Sequence, residues 1–331
     1  MGAVCPRLTV KPILLLSLPR SGSTLVQRVL ATHPDVATVS EPWLLLPLTY
    51  SVRPEGARAE YWHPLAAQAV GDFAQALPGG RDEYLAEVGG LATRLYERLA
   101  DGAEYFVDKT PRYHLIAEDL PRLLPDAKLI FLWRNPLAVV SSLLRTFRAG
   151  RFEPGLFSVD LESGLVNLTN AWEQAEDTGS AFAVRYEDLI SGEREWRRLF
   201  EGLGLDFDPS LLEQFPEVEL QGRYGDPTGV SEYETISAEP KSKWLQDLGG
   251  PVRKAWARAY LERIGEARLR MMGYDPVDLR AAIERTPRRI PSAPVDAMRL
   301  ATSRLTDARH RRTVRRPDSP RPIEPRGRRR P

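Results

Sequence analysis

A chain of 331 residues with 42% hydrophobic content has room for one large α/β domain with appendages, or for two small domains. Its net charge of +1 hides an asymmetry: from Arg285 onward fifteen arginines face four acidic residues, a local +11 that leaves −10 for the rest. Cys5 is the only cysteine, which excludes an intrachain disulfide and argues against a disulfide-stapled secretory scaffold.

No stretch approaches the roughly 20 apolar residues that cross a bilayer. The apolar run at 13–16 is too short for a signal sequence, and Pro6 breaks the myristoylation pattern that Met1-Gly2 would begin. The expectation is a cytoplasmic protein with no membrane span.

Residues 13–18 (ILLLSL) are apolar on both faces, as a central parallel strand requires. The loop Pro19-Arg20-Ser21-Gly22-Ser23-Thr24 follows, then a helical run over 25–31 that ends at His33-Pro34. A short strand is predicted over 36–40, and mostly helical sequence with Gly and Pro breaks fills 44–104. Further strands fit 105–107, 129–133 and 182–185, each followed by helical sequence. Short β runs alternating with helices imply crossover units and a parallel sheet flanked by helices.

Near the end, Trp256, Tyr260, Ile264, Ala267 and Met271 recur at helical steps, with Gly273 at the expected cap. The domain is therefore expected over 1–285, with an insertion at about 44–104. Residues 286–331 form a basic Pro/Arg-rich tail, too poor in apolar residues to offset the entropy of ordering and expected to be disordered. Non-specific contact with nucleic acid is expected, if anywhere, through this tail. The sequence does not reveal an oligomeric state.

A buried strand that runs into a Ser/Gly loop and then a helix makes an anion site, because loop amides and the positive helix end converge. Gly22 permits close backbone approach; Ser21, Ser23 and Thr24 add hydroxyl donors; Arg20 adds charge. No Lys follows Gly22, so the GxxxxGK[ST] loop of nucleotide kinases is absent. A second anion-suited strand end lies at LIFLWRNPLAVVSSLL, where Arg134 ends the strand and Ser142 sits inside the next helix. Two such ends in one parallel sheet fit a ligand with two separated phosphates.

With these segments in view, the chain resembles the PAPS-dependent sulfotransferase superfamily, PAPS being 3′-phosphoadenosine 5′-phosphosulfate. The resemblance rests on PRSGST at 19–24, RNPLAVVSS at 134–142 and RYEDL at 185–189, with weaker echoes in SKW at 242–244 and GYDP at 273–276. It implies a P-loop-type α/β fold in which the insertion helps to hold the acceptor, and PAPS as co-substrate without a metal. It implies that residues 20–24 hold the 5′-phosphosulfate and that Arg134 and Ser142 hold the 3′-phosphate. Tyr186 and Lys243 would lie near the nucleotide.

Lys109-Thr110 is followed by Pro111, where phenol-type members carry a catalytic His. The pattern is closer to tyrosylprotein and bacterial carbohydrate-type members, which use a Glu after the loop helix. Glu41, twenty-one residues after Arg20, fits that position.

The expected catalytic set is Glu41 as general base with Arg20 and Lys109 as cations, acting on a hydroxyl-bearing acceptor such as a carbohydrate, a small metabolite or tyrosine. Glu41 could instead cap a helix or pair with Arg20, and Lys109 could be a solvated strand-end charge. His63 and His114 read as packing or surface residues within reach of an acceptor, and Arg145, Arg148 and Arg151 either as a solvated helix end or as cations near the mouth that favour an acidic acceptor. The competing functions are a P-loop nucleotide kinase and a non-catalytic nucleotide- or nucleic-acid-binding protein.

Overall fold

The computed structural model describes residues 10–222, 242–287 and 292–315, with side chains as far as 309. Five strands, β1 (Lys11–Ser17), β2 (Val36–Thr38), β3 (Tyr105–Asp108), β4 (Lys128–Trp133) and β5 (Ala181–Arg185), form one sheet. All pairings are parallel, and the order is β2-β3-β1-β4-β5. The chain reverses direction across the sheet between β1 and its two neighbours, so the loop after β1 opens at the switch point where ligands bind in such folds.

β1 is buried on both faces because consecutive side chains alternate between two cores. Leu14 and Leu16 pack with Phe106, Phe131 and Trp133 on one face. Ile13 and Leu15 pack on the other with Val107, Ile130 and the apolar stripe of α1 (Ser23–Leu30). The insertion folds as α2 (Leu45–Tyr50), α3 (His63–Gln75) and α4 (Gly80–Ala100). α4 lies over β2 and β3. α5 (Leu120–Leu123) precedes β4, and α6 (Pro136–Arg148) follows it, started by Pro136 and by Asn135 Oδ1 accepting from Leu137 N–H at 2.9 Å.

Two expectations need correction. The helical stripe from Trp256 to Met271 is split into Pro251–Ile264 and Glu266–Met271 by Gly265, whose φ of 84° ends the first helix. More of the C-terminal segment is ordered than its composition suggests, because Ala293–Arg315 is a helix. Tertiary contact outweighs composition there: Arg253 forks onto buried Asp296 at 2.8 and 2.9 Å, and the helix packs against the turn Pro154–Phe157. Residues 288–291 and 316–331 of the expected tail lie outside the described residues. Among the described residues no helix is long and apolar enough to cross a membrane.

Candidate active site

The loop after β1 is shaped by two residues with left-handed backbone, Arg20 (φ 68°) and Gly22 (φ 92°). Gly22 has a steric requirement as well: a Cβ there would stand 2.3 Å from the Tyr186 ring. Ser21, Ser23 and Thr24 are buried beside it, and the first N–H groups of α1 have no partner within the helix. Arg134, at the end of β4, donates from Nη1 to the Arg20 carbonyl at 2.7 Å. Its guanidinium lies 4.4 Å from the Tyr186 ring centroid. Arg20 Nε in turn reaches Ser142 Oγ at 3.3 Å across from α6.

Residues from three distant segments, the loop at 20–24, the stretch 134–142 and Tyr186, thus meet at the carboxyl ends of β1, β4 and β5. Among the described residues, the buried Nε of Arg134 has no hydrogen-bond partner. A buried guanidinium N–H left open beside loop amides fits a second phosphate.

Lys243 opens the helix Lys243–Asp247, which packs on α6; Ser141 Oγ donates to Asp247 there. The remaining motif residues are structural. Arg185 forks onto Asp188 and donates to the Gly273 carbonyl, while Tyr274 hydroxyl donates to Glu187 at 2.6 Å. RYEDL and GYDP are therefore halves of one joint.

Glu41 and Lys109 are in direct contact: Lys109 Nζ donates to Glu41 Oε1 at 2.8 Å. Lys109 is 2% exposed, so it is not a solvated strand-end charge, and Glu41 pairs with it rather than capping a helix. Trp43 Nε1 donates to the other carboxylate oxygen at 3.2 Å.

The residue that sequence reasoning missed lies behind this pair. Asp108, fully buried at the end of β3, accepts from Tyr96, Tyr113 and Thr110 at 2.6, 2.6 and 3.2 Å. Burial pushes its carboxyl up to about 6, against those three hydrogen bonds, which hold it down. Thr110 Oγ1 accepts from Trp43 N–H, and Tyr113 Oη from Leu45 N–H. The Glu41–Leu45 segment thus hangs from Asp108 through two hydroxyls. The only hint in the sequence is an Asp next to Lys109.

A cavity of about 480 Å³ joins Arg20, Gly22, Ser23 and Thr24 to Glu41, and continues between Trp43, Pro111, Arg112, α6 and residues 156–160. Among the described residues its walls come from these segments. The helices of 44–104, expected to hold an acceptor, support it from behind through Tyr96.

His114 is fully buried and bonded to Asp160 at 2.9 Å, which also accepts from Arg112 at 3.0 Å. Asp160 is aimed at both by a π-helical stretch, Val159–Gly164, a rare geometry frequent at functional sites. His63 bonds the Arg53 carbonyl, and neither histidine lines the cavity. Arg145 pairs with Asp247 and Arg148 with Glu153, so two of the three arginines expected at a solvated helix end are engaged.

A family model described as "Sulfotransferase family" matches residues 12–209, which contain the loop, Glu41, Lys109, Arg134, Ser142 and Tyr186. The chain belongs to the sulfotransferase family. Among curated proteins it is 32% identical over 213 residues to nodulation protein NoeE of Sinorhizobium fredii, covering 58% of this chain and 49% of that protein. It is 23% identical over 269 residues to a protein-tyrosine sulfotransferase of Drosophila melanogaster, covering 78% and 50% respectively. The chain thus spans about half the length of these relatives. Among solved structures, the sulfotransferase domain from the curacin biosynthetic pathway covers 80% of this chain and 98% of its own, at a TM-score of 0.52 and 23% identity, a likeness of fold.

Proposed function

We propose that the protein transfers the sulfuryl group of PAPS to a hydroxyl acceptor, with Glu41 as general base. The observation that carries this reading is one cavity that joins Arg20, Gly22, Ser23 and Thr24 to Glu41, the partner of Lys109. Loop 20–24 would hold the 5′-phosphosulfate, Arg134 and Ser142 the 3′-phosphate, and Tyr186 and Lys243 would flank the nucleotide. PAPS supplies an activated sulfuryl group; positioning and electrostatics are left to the protein.

Glu41 accepts the proton of the acceptor hydroxyl as its oxygen forms a bond to sulfur. The opposite bond, from sulfur to the bridging phosphate oxygen, breaks in line, and PAP (3′-phosphoadenosine 5′-phosphate) departs. Arg20 balances charge that builds on the bridging oxygen. Lys109, bonded to Glu41, holds the carboxylate in place and offers its remaining N–H groups to the sulfuryl oxygens. The motifs that match the family include no lysine after Gly22, which separates this loop from that of nucleotide kinases.

The test is calorimetric binding of PAP beside AMP and ATP with Mg²⁺, for wild type and Arg134→Ala. Tighter binding of PAP than of AMP is expected, with the preference lost in the variant by roughly 10- to 100-fold, as for a charge-assisted contact. A preference for ATP with Mg²⁺ would overturn the assignment.

A further inference from the structure

The acceptor side of the cavity has a composition of its own. Its walls carry Trp43, Leu143, Phe147, Leu156 and Phe157, drawn from three separate segments. Trp43 and Phe147 are among the most exposed aromatics of the described chain; Phe147, at 51%, meets Phe157 with ring centroids 6.1 Å apart. Exposed rings that converge on one concavity gain most when an apolar body covers them.

The charges around this wall are matched. Lys109 has Glu41, Arg112 has Asp160, Arg148 has Glu153 and Arg145 has Asp247. An anionic acceptor would have to share these cations with the carboxylates they already hold. The carboxylates are occupied in turn: Glu41 accepts from Lys109 and Trp43, and Asp160, 2% exposed, accepts from Arg112 and His114. A sugar brings several hydroxyl donors, and a buried donor without an acceptor is costly. A single hydroxyl needs only one of the lone pairs that Glu41 keeps beside its two accepted bonds.

We infer that the acceptor is an uncharged compound with one reactive hydroxyl and an apolar, ring-sized body, a phenol or a hydrophobic alcohol, rather than a sugar or an acidic molecule. The inference rests on the sulfotransferase reading for the direction of transfer, but the wall can be tested apart from it.

The experiment titrates the full chain with PAP, then titrates the PAP-loaded protein with 2-naphthol, N-acetylglucosamine and 4-hydroxyphenylacetate. 2-Naphthol is expected to bind at least roughly tenfold more tightly than either rival, the gain from burying a bicyclic ring. Phe147→Asp, at an exposed position that folding does not need, is expected to erase that advantage and leave PAP affinity unchanged, while Phe147→Leu keeps it. Equal or tighter binding of the sugar or the acid, no binding of 2-naphthol, or no effect of Phe147→Asp would each overturn the inference. Failure of PAP itself to bind would instead strike the sulfotransferase reading, and the same three titrations on unloaded protein would still decide between apolar and polar acceptors.

Discussion

On the phosphate-loop side of the cavity, Arg20, Gly22, Arg134 and Tyr186 stand at the ends of neighbouring parallel strands, and Ser142 on the helix that follows. On the other side, the walls come from the segment at 41–43, a turn at 154–157 and a π-helical stretch at 159–164. Strand ends fix a side chain by the register of the sheet, which a short motif suffices to encode. Irregular segments hold position only through specific hydrogen bonds and packing from elsewhere. One half is thus a property of the fold, and the other of particular contacts, which predicts that variants will separate binding of PAP from turnover and from stability.

The largest separation is expected at Glu41. Glu41→Gln should lower turnover of 2-naphthol by roughly 10²- to 10⁴-fold, the usual cost of losing a general base. PAP affinity should stay unchanged, since Glu41 contacts Lys109 and Trp43 and not the loop. Sulfated product per unit time, measured beside PAP calorimetry, reads both; equal losses in the two would merge the halves.

This division also sets what was legible. Five strands and the loop followed from apolar runs and Gly/Ser chemistry, because parallel strands buried on both faces leave a strong local signal. Arg134 and Ser142 were readable through a motif eight residues apart. Asp108 was not, because its partners Tyr96 and Tyr113 carry no mark until the fold brings them to it. Nor was Asp160, whose role depends on a local π-helical turn. The helix Ala293–Arg315 was hidden by its arginines, since composition reports the absence of a core and not the presence of a neighbour's.

Asp296 tests how far that neighbour matters. It is buried and accepts both arms of Arg253, clamping the C-terminal helix on the turn that supplies Leu156 and Phe157. Asp296→Ala leaves that guanidinium with the Asp247 carbonyl and the face of Phe152. A loss of about 3 kcal/mol is expected in urea unfolding, the low end for breaking a buried pair. 2-Naphthol affinity should fall and PAP affinity should not.

Asp108 predicts a pH effect of about 2 to 3 kcal/mol, given a carboxyl moved from its ordinary value of 3.8 to about 6. The folded state holds this proton more tightly than the unfolded chain does. Its contribution to stability is therefore largest below about pH 4, declines as pH rises to about 6, and is flat above. Asp108→Asn cannot titrate, so between pH 4 and 6 its urea stability should fall less, or rise more, with pH than that of wild type. Identical slopes would mean that the carboxylate is held ionised throughout.

The smallest effect contrasts two glycines. Gly22 combines a φ of 92° with the Tyr186 ring 2.3 Å from any added Cβ, whereas Gly71, inside α3, meets nothing within 4 Å. Gly22→Ala should cost about 2 kcal/mol through backbone strain and overpacking, and should weaken PAP by displacing Tyr186 from Arg134. Gly71→Ala should stabilise by about 0.5 to 1 kcal/mol, because alanine is the better helix former. If Gly22→Ala lost stability but kept PAP affinity, the loop would tolerate a shifted Tyr186. Its geometry would then be set by Arg134 and the Arg20 carbonyl alone, and the phosphate-loop side would rest, like the other side, on one specific contact.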